Sequence, residues 1–165
     1  MSVLSHSRVK IADEVWIATA LLHREQPSQS DFEVQEIVQR AAREEIAGPL
    51  RPGLYVHVVQ HCVANRPPNP GRYRMLFETS TGRRRLFRRG DTYHPAREAS
   101  KTTPDPSDIP SEYHELLAWY RDWSCAAIES SSGTDPLLKL AGSGKDLWSD
   151  ETPDEYVRRL REGWE

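Results

Sequence analysis

Between residues 66 and 89 the chain holds eight arginines and a single acid, Glu78. The run Arg83-Arg84-Arg85 stands within that stretch. Guanidinium groups at this density suit phosphate, because each carries a permanent charge and a planar fork of donors. Just upstream, Gln60 and Asn65 have side chains that can hydrogen-bond adenine edges, and His57 and His61 can donate to bases or phosphates. Taken together, His57, Gln60, His61, Asn65, Arg83, Arg84 and Arg85 form a candidate DNA-binding set. Two other uses of the same arginines stay open. They can protect a solvated strand pair from edge pairing, or dock an acidic segment or another protein.

Other chemistries find less support. The segment Gly142-Ser143-Gly144-Lys145 superficially suggests a phosphate loop, but Lys139 stands where the first glycine is required and Asp146 replaces the Ser/Thr. His57 and His61 lie four apart with Cys62 adjacent, yet Cys62 falls on the apolar side and no second ligand pair follows, so no metal site is expected. No Ser/His/Asp or Cys/His set has a recognisable spacing. The expectation is a protein without catalytic residues or cofactor.

The DNA-binding candidates need a scaffold, and hydrophobic periodicity supplies one. Ile11, Val15, Ala18, Leu21 and Leu22 recur at helical spacing over 8–25. After a break at Gln26-Pro27, Ser30 and Glu33 match a capping box for a second helix with Phe32, Ile37, Val38 and Ala41 inside, ended by Gly48-Pro49. Pro52 suits the first turn of a third helix over 52–65, burying Leu54, Tyr55, Val58, Val59, Cys62 and Val63. His57, Gln60, His61 and Asn65 then share the opposite stripe. Past Pro67-Pro68 the period drops towards two, predicting strands at 73–78 and 84–88 joined by Ser80-Thr81-Gly82. Three helices and a hairpin in this order are an α+β arrangement that resembles the winged helix-turn-helix domain. That resemblance implies a third helix in the major groove and a hairpin along the backbone.

Composition sets the outer limits. With 165 residues, 37% hydrophobic and twelve prolines, the chain is too polar for one core throughout. The expected division is a domain over 1–95, a linker over 96–109, a connector or dimerisation helix over 110–129 and a partner-binding tail over 130–165. Tyr113, Leu116, Leu117, Tyr120, Trp123 and Ala127 stripe the connector helix, which packs back on the front domain or pairs with a second copy. Charge divides as well. Residues 1–95 hold 14 Lys/Arg against 10 Asp/Glu, whereas 96–165 hold 8 against 15. Opposite signs in the two halves imply different partners, or one half masking the other. The absence of an 18-residue apolar run, of an apolar leader in Met1–Lys10 and of a disulfide framework predicts a cytoplasmic protein with no membrane partner.

The tail spaces its apolar anchors along a polar strip: Leu137, Leu138, Leu140, Leu147, Trp148, Tyr156, Leu160 and Trp164. Thr152, Pro153 and Glu155 predict a short helix start, and Tyr156, Leu160 and Trp164 follow at four-residue spacing with Val157 beside them. A helix of about 11 residues does not hold alone in water. Segments of this kind fold onto a partner, or dock on their own domain. Gly142-Ser143-Gly144-Lys145-Asp146-Leu147-Trp148, followed by Asp154-Glu155-Tyr156-Val157-Arg158-Arg159-Leu160-Arg161-Glu162-Gly163-Trp164, resembles the toxin-binding region of VapB-type antitoxins, the partners of PIN-domain ribonuclease toxins.

The resemblance covers about 30 residues. It implies that Leu137, Leu140, Leu147, Trp148, Tyr156, Val157, Leu160 and Trp164 bind the toxin. It further implies that an arginine, Arg158 or Arg161 foremost, pairs with the carboxylates that hold Mg²⁺ or Mn²⁺ in the toxin's active site. A front domain of about 95 residues departs from the short ribbon-helix-helix or swapped-hairpin modules usual in that family. The expected function is therefore an antitoxin that also binds operator DNA, as a homodimer or a toxin–antitoxin hetero-oligomer. The alternative is a winged-helix transcription factor or DNA-processing accessory protein whose tail docks on itself or dimerises; a specificity subunit of a DNA-modifying complex is a third.

Overall fold

The computed structural model describes residues 9–132. Contacts divide the chain into one unit over Met1–Ala127 and a second over Ile128–Glu165. In the first unit, helix α1 (Ile11–Glu25) is the central post, with every residue from Ala12 to Ala20 buried. Three of those are polar, and each has a partner, although the Asp13 Oδ2 is left without one. Thr19 donates back to the Val15 carbonyl at 2.8 Å, Glu14 pairs with Arg51 at 2.5 Å, and Asp13 pairs with Lys101 at 3.2 Å. Burial raises the Asp13 carboxyl above its usual range, a shift that the Lys101 charge partly opposes.

Strand β1 (Phe32–Glu33) precedes helix α2 (Val34–Glu44). The capping box lies three residues later than the Ser30–Glu33 expectation: the Glu36 carboxylate accepts from the Glu33 N–H at 2.7 Å. The reason is tertiary. Phe32 and Glu33 are paired with Arg84 and Arg83 of the hairpin, so the helix starts only after the ladder is complete. It closes at Glu45, in the left-handed region at φ 50°, before Gly48 is reached.

Helix α3 (Leu54–Val56) runs into a π-helical turn, His57–His61, closed by the Cys62 N–H on the His57 carbonyl at 3.0 Å. A regular helix to Asn65 does not form. The Cys62 carbonyl accepts from the N–H groups of Met75 and Leu76, and the Ala64 N–H donates to the Leu76 carbonyl. The chain thus leaves the helix early to satisfy its backbone on the incoming strand.

Strands β2 (Leu76–Ser80) and β3 (Arg83–Leu86) form the hairpin, their ends one to three residues from the periodicity reading, with Gly82 at φ 75° in the turn. The antiparallel sheet has the order β1-β3-β2. Its inner face sets Phe32, Leu76 and Leu86 against Trp16, Ile17 and Ile37.

Segment 96–109 is not a linker. Arg97 is fully buried, Ile109 is buried, and tight 3-10 turns at Pro95–Arg97, Pro106–Asp108 and Ser111–Tyr113 wrap the segment onto the unit. Helix α4 (His114–Ser132) then contributes Leu116 and Tyr120 to the same core. Tyr120 meets Trp16 edge to face at 5.5 Å, and its hydroxyl donates to the Phe87 carbonyl. Of the two expectations for this helix, the first unit shows packing on the front domain. Among the described residues, no helix is long and apolar enough to cross a membrane.

Candidate functional site

The π turn brings His57 and His61 together, their rings perpendicular at 4.8 Å. His57 Nδ1 lies 2.8 Å from the Gly53 carbonyl. His61 is half-buried and its Nδ1 has no hydrogen-bond partner. Burial, then the neighbouring His57 and Arg97 charges, hold its pKa below the usual histidine range. Gln60 donates to the Pro67 carbonyl at 2.6 Å. Asn65 acts as a piece of β-ladder: its Oδ1 accepts from the Glu78 N–H at 2.9 Å and its Nδ2 donates to the Glu78 carbonyl at 3.0 Å. The polar stripe therefore mostly serves its own backbone.

The arginine run is committed inward as well. Arg83 pairs with Asp31 at 2.6 Å and reaches Glu33 at 3.6 Å. Arg84 is only 1% exposed and pairs with Glu78 at 3.1 Å. Burial lowers its pKa, which the Glu78 charge partly restores. Arg85 forms a two-pronged pair with Asp91, 2.6 and 2.8 Å, and lies over the Phe77 ring at 4.5 Å. Glu78 takes a second arginine, Arg66, at 2.7 and 2.8 Å, and these bonds hold its carboxyl below the usual range. The expectation of three free arginines along a hairpin is corrected. Strand register places each beside an acid that is remote in sequence or hidden in the next turn, and Arg84 has no route to an external phosphate. Arg83, whose side chain is 34% exposed, keeps an outward edge.

In place of a cationic stripe, helix α3 turns Tyr55 and Val56 outward, 57% and 43% exposed, with Leu50 nearby in sequence at 49%. A cleft of ≈ 380 Å³ lies between Tyr55, the start of α2 and the hairpin turn at Gly82 and Arg83. Three of the cations without carboxylate partners lie together elsewhere: Arg74, Arg89 and Arg121 line a second cleft, of ≈ 710 Å³, beside Phe87 and Tyr93. Sequence reading missed this cluster, whose members come from three separated segments. The one available signal was the interleaving of aromatics with arginines from 72 to 93.

Cys62 is buried, as expected from its place on the apolar side, and burial raises its thiol pKa well above the ordinary value. Among the described residues, no group of three or more His, Cys, Asp or Glu side chains gathers as a metal site. The toxin-binding candidates Leu137, Leu140, Leu147, Trp148, Tyr156, Val157, Arg158, Leu160, Arg161 and Trp164 lie outside the described residues. In comparisons with known proteins, no family model matches the chain, and no curated protein or solved structure matches it significantly.

Proposed function

We propose that the chain is the antitoxin of a toxin–antitoxin pair, its tail binding and inhibiting a PIN-domain ribonuclease and its front domain a winged helix that contacts operator DNA. The observation that carries the reading is the tail sequence, Gly142–Trp148 followed by Asp154–Trp164, in which aromatic anchors and arginines stand in the order of VapB-type toxin-binding regions. On this reading the anchors Leu147, Trp148, Tyr156, Leu160 and Trp164 supply most of the affinity. Arg158 or Arg161 supplies the inhibition, by placing a guanidinium among the toxin's metal-binding carboxylates.

Support for the winged helix comes from the element order: helix, short strand, helix, helix, hairpin, with the short strand paired to the returning strand of the hairpin. Duplex contact then falls to α3, the half-buried His57 and the outward edge of Arg83 rather than to the whole arginine run. A second reading has its own support. The exposed Tyr55 and Val56 favour a protein on this face, since apolar side chains pay no charge desolvation and give no phosphate contact.

Co-expression with a PIN-domain ribonuclease toxin, taken from beside this chain's gene where one is encoded there, tests the proposal. Co-purification and ribonuclease inhibition by the full chain are expected, with both lost in a form ending at Ser132. Full binding by the shortened form would sink the tail assignment. A mobility shift with the upstream promoter fragment separates the two readings of the front domain, and Arg83→Gln is expected to weaken a true duplex contact several-fold, the scale of one phosphate contact.

A further inference from the structure

The hairpin has two ends, and three cations without an acidic partner gather at the one away from its turn. Arg74 leads into β2, Arg89 follows β3, and Arg121 comes from α4; all three line the ≈ 710 Å³ cleft. None of the three has an ion pair among the described residues. The acid present, Asp91, is already spent on the Arg85 guanidinium and the Arg88 N–H. Arg74 is held over two rings: its guanidinium carbon lies 4.3 Å from the Tyr93 ring centroid and 5.7 Å from that of Phe87, with Nε donating to the Ser100 carbonyl at 3.3 Å. Tyr93 remains 38% exposed. Here the structure offers a guanidinium–phenol ledge with two further free guanidiniums on separate elements around it.

We propose that this cleft binds single-stranded nucleic acid, a base stacking on the Arg74–Tyr93 ledge while Arg89 and Arg121 take neighbouring phosphates. Base stacking on aromatic and guanidinium planes, combined with a positively charged track for the backbone, is the way proteins hold single strands without reading sequence. An acidic peptide would use the cations but leave the Tyr93 plane idle. Duplex DNA keeps its bases stacked on one another and presents none to the ledge. A strand fits better than a mononucleotide because Arg89 and Arg121 lie on separate elements and offer more than one phosphate position. This activity stands apart from toxin inhibition, so either can fail while the other holds.

The test is fluorescence anisotropy with the full chain and a labelled oligothymidylate of about 12 nucleotides at low salt. Saturable binding is expected, and the Arg89→Gln/Arg121→Gln pair should weaken it about 10-fold or more and reduce the salt slope by roughly 1.4, the value for two lost phosphate contacts on a single strand. Tyr93→Leu should weaken binding about 10-fold while Tyr93→Phe retains it, since the plane and not the hydroxyl makes the ledge. Unchanged thermal midpoints establish that these surface variants are folded. The proposal is overturned if the native chain does not bind the strand, or if Tyr93→Leu binds as well as native. It is overturned equally if a duplex of the same length, a polyglutamate peptide or thymidine monophosphate displaces the label as effectively as the unlabelled strand.

Discussion

A guanidinium buried without a carboxylate has to be held by something else, and at Arg97 it is held by the backbone. Its nitrogens donate to the carbonyls of Arg66, His61, Tyr73 and Gln60 at 2.7 to 3.0 Å, and more distantly to Pro67 at 3.4 Å. Those carbonyls belong to the π turn and the loop after it; for Arg66 and Tyr73 the guanidinium is the donor, while those of Gln60, His61 and Pro67 also accept from Val63, Tyr73 and Gln60. Burial lowers the Arg97 pKa, as expected for a charge taken out of water. Arg97→Met keeps the stem but strips the Arg66 and Tyr73 carbonyls of their donor and the others of a second one. It should cost about 3 kcal/mol or more, read from urea unfolding, because several buried acceptors lose a donor at once. A loss below about 1 kcal/mol would mean that water replaces the guanidinium freely. Nothing in the local sequence Pro95-Ala96-Arg97-Glu98 points to this role, since a side chain's partners in space leave no mark on its neighbours in sequence.

Among the elements, α4 and the segment before it change the picture of the front domain most. Periodicity identifies the helix and its apolar stripe, and Tyr113, Leu116 and Tyr120 are indeed buried. The segment 96–109 reads as a linker because it is polar and proline-rich, a composition shared by linkers and by tight irregular wraps. What separates them is a handful of contacts: Arg97 inside, Ile109 in the core, and Lys101 between Asp13 and Asp108. A chain ending at Pro95 therefore loses part of its own core. It is expected to show no cooperative thermal transition by circular dichroism, whereas one ending at Ser132 melts as a single unit. A cooperative melt of the shorter chain would restore a domain boundary near 95.

Across the whole unit, stability is tied to pH through His23, which sits where α1, the sheet and α4 meet. Its ring packs on Phe32 at 4.8 Å and Trp123 at 4.7 Å, and Nε2 accepts from the Leu86 N–H at 3.3 Å. Burial first, then the Arg88 and Arg85 charges, push its pKa down to about 3. The folded form thus keeps His23 neutral down to that pH, while the unfolded chain takes up the proton near 6.5. The unfolded state binds more protons between those values, so stability is full above about 6.5 and falls as pH drops below it, by up to about 1.4 kcal/mol per unit. Melting curves between pH 7 and 5 should show this fall. His23→Gln, which can still accept from Leu86, should flatten the slope to the smaller part contributed by His61. An unchanged slope in that variant would remove His23 as its source.

The legible part of this protein is the part that repeats along the chain. Apolar spacing places α1, α2 and α4, and the switch to a period near two places a hairpin, because burial of one face imposes its period on consecutive residues. The tail resemblance, which lies outside the described residues, also rests on anchors and arginines within one short stretch. Spatial pairing decided the rest. Asn65 reads as a base-contacting amide and turns out to pair with the Glu78 backbone; Arg83, Arg84 and Arg85 read as a phosphate track and meet Asp31, Glu78 and Asp91. Strand pairing brings Asp31 and Glu78 to Arg83 and Arg84, while Arg85 meets Asp91 in the turn that follows β3. The cations that gather without acidic partners are Arg74, Arg89 and Arg121, drawn to one cleft from segments that only the fold brings together.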